Sequence, residues 1–107
     1  MSAKTFQILV GLIGLGFTLI FFIVVMPPLL ANPDIIGAFA AGFVNPYSSG
    51  YSSDVIACWF ILAVWIIYEA KSQSIKYGWV CIVLGAVPGV AVGFALYLII
   101  RQRQLAE

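Results

Sequence analysis

From Phe6 to Met26 the chain runs 21 residues without a charged side chain, and from Tyr77 to Ile100 it runs 24. A helix that crosses a bilayer needs about 20 consecutive apolar residues. The first run starts after Lys4 and is expected to stop at Pro27-Pro28, because proline cannot continue a helix. A cleaved leader has an apolar core of only about 7–15 residues followed by a small-x-small site. This run is longer, and no such site precedes the prolines, so the reading is a retained first span over about 6–26. The last run gives a span over about 77–100, closed by Arg101 and Arg103, whose charges suit a helix C-terminus and lipid headgroups.

Composition agrees with these runs. The chain is 64% hydrophobic and 8% charged, where a soluble domain is about 45–50% apolar and about 25% charged. A domain of 107 residues has too much surface to hide that excess from water. A net charge of +1 supplies no basic field for nucleic acid. Cys58 and Cys81 both lie in apolar runs and read as packing residues.

The middle of the chain is less direct. Val55 to Tyr68 is 14 uncharged residues between Asp54 and Glu69. As a helix it reaches about 21 Å, short of a hydrocarbon core of about 30 Å. The second span is therefore expected over about 50–69, starting near Ser48–Ser53. Ahead of it, Asn32-Pro33-Asp34 reads as a helix start, with Asn32 as cap and Pro33 in the first position. A short helix over about 34–44, stopped at Asn45-Pro46, is too short to span and reads as interfacial or re-entrant. The fold class is all-α and membrane-integral, with three spans in one domain. Three spans put the termini on opposite sides. Lys4, Lys71 and Lys76 on the first side against Arg101 and Arg103 on the other make the N-terminus cytoplasmic or stromal.

Candidate chemistry is sparse. The chain has no histidine, which removes the commonest metal ligand and general base. Asp54 and Glu69 are fifteen residues apart, about 22 Å along a helix, and cannot form an acid–base pair. No catalytic set and no metal set is expected. Asp54, after Ser52-Ser53, reads as a helix cap at the membrane boundary, with a polar contact to another chain or ion traffic as alternatives. Glu69, beside Lys71, reads as a solvated helix end. Gly85, Gly89 and Gly93 recur every four residues and form one small-residue stripe if the last helix is continuous. Pro88 is expected to bend that helix. The stripe is read as a packing surface for this chain itself, or for a partner helix, a lipid tail, a carotenoid or a chlorophyll. The usual histidine ligand to a chlorophyll magnesium is absent.

Asn45-Pro46, Asp54 opening the second span, Glu69 closing it, Trp79 near the start of the third and the Gly-Val stretch running into Leu96-Tyr97-Leu98-Ile99-Ile100-Arg101 together resemble a known family. It is the family of small bacterial and cyanobacterial membrane proteins called domain of unknown function 2834. The resemblance covers roughly 45–105. It departs where the family tends to place a proline just before its terminal stretch, since Pro88 lies earlier here, and where Gln102 stands in place of a common acid. The resemblance implies a fold and no chemistry. The expected function is a non-catalytic accessory subunit, packed by its glycine-rich last helix against other subunits in a bacterial inner membrane or thylakoid complex, with a photosystem as host if the source is photosynthetic. The alternative is a homo-oligomeric small transporter or channel with Asp54 near the path.

Overall fold

The computed structural model describes residues 2–87 and 89–106. Five helices make up the fold, and the described residues contain no strand. The first, α1, covers Ala3–Ala31 and is capped by Ser2, whose hydroxyl accepts from the Thr5 N–H at 3.1 Å. The stop expected at Pro27-Pro28 does not occur. Residues Phe21–Val25 form a π turn, in which the Met26 N–H reaches back to the Phe21 carbonyl. The prolines then fall in the first positions of a renewed α segment, Met26–Ala31, where a missing N–H costs little. The helix thus runs 29 residues, about 44 Å.

Helix α2 covers Ile35–Ala40 and tightens into a 3-10 turn at Ala41–Phe43. Its cap is Asp34 rather than Asn32: the carboxylate accepts from the Gly37 N–H at 2.9 Å. Helix α3, Pro46–Ser72, starts earlier than expected. Asn45 accepts from the Ser48 N–H at 2.8 Å, and its own N–H reaches the Ser48 hydroxyl at 3.3 Å. This reciprocal cap, with Pro46 in the first helical position, makes Asn45-Pro46 the start of a long helix as well as the end of a short one. At 27 residues, α3 is about 40 Å long. Both α1 and α3 are long and apolar enough to cross a membrane.

The third apolar run is not one helix. It forms α4, Gly78–Ala86, and α5, Val90–Ala106, which fold back on each other. The bend expected at Pro88 falls on a residue outside the described ones. Val87 before it is extended, at φ −145° and ψ 121°, as the clash of a proline ring with its predecessor demands. The antiparallel pairing follows from which residues meet. Gly78 approaches Tyr97, and Gly93 sits on the backbone of Cys81 and Gly85. A Cβ at Gly93 would overlap the Cys81 carbonyl oxygen and lie 2.8 Å from the Gly85 nitrogen. Neither arm can cross a membrane alone: α4 has nine residues, about 14 Å, and the apolar part of α5, Val90–Ile100, is about 17 Å.

The hairpin stands between the two long helices. Along α1, Gly11 meets Ile99, Gly14 meets Ala95 and Phe17 meets Gly89. Along α3, Ile66 meets Gly78 and Trp59 meets Gly85. A buried core of Leu62, Ile66, Ile75, Cys81 and Tyr97 fills the junction. The start of α1, the end of α5, the α3–α4 turn and all of Lys4, Lys71, Lys76, Arg101 and Arg103 therefore gather at one end of the molecule. The hairpin turn reaches only as far as Phe17 and Trp59, midway along the long helices. Beyond it, α1 and α3 continue with α2 beneath, joined to α3 where the Ser52 hydroxyl donates to the Gly42 carbonyl at 2.9 Å.

The closeness at Gly93 is testable. Gly93→Ala is expected to force the hairpin arms apart and to cost about 1–3 kcal/mol, the usual range for overpacking. Gly16→Ala, with nothing within 4 Å of the added carbon, is expected to be neutral or slightly stabilising. Melting temperatures of the two variants in one detergent check the contrast.

Candidate functional site

The charged group most withdrawn from the surface is Glu69, in the last turns of α3, at 4% exposure. Its expected role as a solvated helix end is therefore corrected. The reason lies in α5, which brings two donors to it. The Tyr97 hydroxyl, itself 0% exposed, donates to Oε1 at 2.7 Å. Arg101 Nε donates to both carboxylate oxygens at 2.7 Å. Tyr97 and Arg101 are four apart on a helix and so share one face. Trp65, one turn before Glu69, stacks edge-on to Tyr97 at 5.3 Å and lies under the Arg101 guanidinium at 5.5 Å. A buried carboxylate is costly unless paired and hydrogen-bonded, and here every buried side-chain polar atom has a partner among the described residues.

The tie is reinforced from the neighbouring turn. Ser74 and Tyr77 both take left-handed backbone, at φ 56° and 67°, which costs about 1 kcal/mol or more per non-glycine residue. The turn is held in spite of that by Gln104, which accepts from the Lys76 N–H at 2.7 Å and donates to the Lys76 carbonyl at 2.8 Å. Ile75, buried in the core, anchors the same segment.

The glycines occupy a second region, the hairpin and its turn. They do not form a stripe, because the break before Gly89 puts Gly85 and Gly93 on different helices. Each is used inside the chain. Gly93 accepts the α4 backbone, Gly85 accepts the Trp59 ring and Gly89 accepts Phe17. The Trp59 indole donates to the Ile82 carbonyl at 2.9 Å, locking α3 to α4. The expected glycine surface for an outside partner is thus consumed by the fold. What remains open is a cleft of about 410 Å³ below the turn, lined by Phe39, Ile56, Trp59, Phe60, Ala86 and Val90.

Asp54 caps nothing. Asn45 has that role, and Asp54 lies in the third turn of α3, exposed, with only the Cys58 thiol near it at 3.9 Å. Cys58 is exposed, Cys81 is buried and both are free. Asp54 and Glu69 are not brought together. Among the described residues no group of three His, Cys, Asp or Glu side chains converges as metal ligands would. Sequence reasoning missed Tyr97, Arg101, Trp65 and Gln104. Their signal is faint: an i,i+4 Tyr–Arg pair near the end of an apolar run, whose acid partner lies 28 and 32 residues away.

Three substitutions rank the roles. Tyr97→Phe removes one hydrogen bond to a charged group and is expected to cost about 1.5–3 kcal/mol. Glu69→Leu strands Arg101 and should cost more, though less than a fully buried pair would, because the Arg101 side chain is 34% exposed. Asp54→Asn is expected to leave stability unchanged. Unfolding temperatures in detergent should be highest for Asp54→Asn, lower for Tyr97→Phe and lowest for Glu69→Leu.

A family pattern described as protein of unknown function DUF2834 matches residues 8–103. No curated protein and no solved structure matches the chain. The match takes in α3, most of α1 and of the hairpin, and the Glu69–Tyr97–Arg101 tie, and the chain belongs to the DUF2834 family.

Proposed function

We propose that this chain is a non-catalytic integral membrane protein in which α1 and α3 span and the α4–α5 hairpin enters from the cationic end and turns back near the midplane. The depth follows from length: Val90 lies eleven residues from Arg101, about 17 Å, half of a core about 30 Å thick. All five lysines and arginines sit at the end that carries both termini, with Asp34 and Asp54 toward the other. By the positive-inside rule that end is cytoplasmic or stromal. In this arrangement the protein serves as an accessory subunit that packs against other membrane proteins in a bacterial inner membrane or thylakoid.

The observation that carries the partner is the hairpin turn above an open apolar cleft. The ends of two helices meet there. The Val83 and Leu84 carbonyls are taken by the Val87 and Gly89 N–H groups, while the last carbonyls of α4 and the first N–H groups of α5 are the ones any helix end leaves unpaired inside itself. Backbone of that kind at membrane depth is tolerated only where protein or water covers it. Asp54 adds to the same reading, since an exposed acid inside a span is stable where it meets a partner group.

Two outcomes are expected. Reporters at the N- and C-termini should react from the same side of sealed vesicles; opposite sides would reject the re-entrant hairpin. A photo-crosslinking residue at Ala86, beside the turn, should capture a different membrane protein in native membranes. Capture of this chain alone would favour the homo-oligomeric transporter or channel, and capture of lipid alone would reject both.

A further inference from the structure

Arg101 spends only part of its guanidinium on Glu69. Its Nε faces the carboxylate, and among the described residues Nη1 and Nη2 have no hydrogen-bond acceptor. The side chain is 34% exposed, so part of the guanidinium is open to the surroundings. The Trp65 ring lies under the guanidinium, and its indole N–H likewise has no acceptor among the described residues. Trp65 leans edge-on against Phe94 at 6.0 Å, and Phe94 is 38% exposed. From Phe94 the surface continues toward α1 as an apolar groove between Val10, Ile13, Ala95 and Leu98. Cationic donors thus stand at one level, an aromatic N–H one turn below, and bare apolar surface below that.

We propose that this α3–α5 face is a binding site for one anionic phospholipid. The phosphate takes the Arg101 Nη donors, Trp65 donates toward the ester region, and an acyl chain lies along Phe94 and Leu98. The assignment rests on the membrane placement proposed above, which sets Arg101 at headgroup depth. Charge complementarity selects the headgroup. Glu69 balances the Arg101 charge, so the attraction for an anion comes from the remaining cations of that end, while the open part of the Arg101 fork fits a phosphate. Lys76, one turn along the same end, raises the local potential. Arg103 differs: its Nε is held by the Gln7 side chain at 3.2 Å on the α1 side, and it lies about 200° around the helix from Arg101.

Native mass spectrometry of the detergent-released chain tests the site, with phosphatidylglycerol and phosphatidylcholine of identical acyl chains as probes and inorganic phosphate as competitor. One phosphatidylglycerol should be retained per chain with an affinity about tenfold or more above phosphatidylcholine, which keeps the phosphate but adds a choline cation that the cationic end repels. Arg101→Lys should abolish the preference, because a single ammonium is occupied by Glu69 and offers no fork. Arg103→Gln should keep it. Protection of buried Cys81 from maleimide, in a Cys58→Ser background, reports that each variant is folded. If Arg101→Lys exposes Cys81, the comparison of the two lipids on the unmutated chain decides alone. Equal retention of both lipids, or an unchanged preference in folded Arg101→Lys, overturns the proposal. Displacement by inorganic phosphate at equal concentration overturns the lipid assignment and leaves a simple anion site. Such failures with both termini on one side of the membrane would reject this site and leave the membrane placement standing.

Discussion

Gly93 has no side chain, and the backbone of α4 lies where one would be. Everything at the cationic end depends on that approach. With the arms in contact, Tyr97 and Cys81 enter one core and Arg101 arrives beside Glu69. A wider hairpin would withdraw the Tyr97 hydroxyl and leave a carboxylate in apolar surroundings with half its partners. The polar tie and the backbone contact therefore support each other. Dispersion at the glycine is individually weak and extends over a whole helix face, whereas the carboxylate fixes the register, because a shift of one residue would turn both donors away.

Much of the helical content was legible in the sequence, because uncharged runs of this length have few other outcomes. The start of α2 was read within two residues, since Asn32, Pro33 and Asp34 are all helix-start residues and only geometry chooses among them. The end of α1 was misread because a double proline looks the same whether a helix stops or passes through a π turn; the wider turn depends on φ/ψ choices at Phe21–Val25, which have no distinctive side chains. The largest error was the third run. A proline within 24 apolar residues signals a bend, but a slight kink and a complete reversal have the same local sequence. Reversal is decided by whether Gly93 finds a backbone to rest on, a contact between segments that periodicity does not encode.

The site was less legible than the fold for a related reason. Glu69 beside Lys71 is a sequence pattern of solvated helix ends, and Asp54 after two serines is a pattern of caps. Both readings rest on neighbours in the chain, and the structure overrides each with something distant or earlier: Tyr97 and Arg101 for Glu69, Asn45 for the cap. The glycines read as a packing surface for this chain itself or for another molecule, and the close approaches they make are to Phe17, Trp59 and the α4 backbone.

The π turn in α1 has a consequence for the whole of that helix. The face that carries buried Gly14 includes half-buried Val10 and Gly11, Phe17 and Thr18, Phe21, and after the turn Met26 and Leu29. The steps are three or four until Phe21, then five, then three. An unbroken α-helix advances about 100° per residue, so a step of five would swing Met26 well off the inner side. The π turn absorbs the surplus residue and returns the phase to where Gly14 left it. Removing one residue from Phe21–Val25 would shorten that step to four and restore regular helix with Met26 and Leu29 still on the inner side, whereas holding all five residues in α geometry would swing both outward.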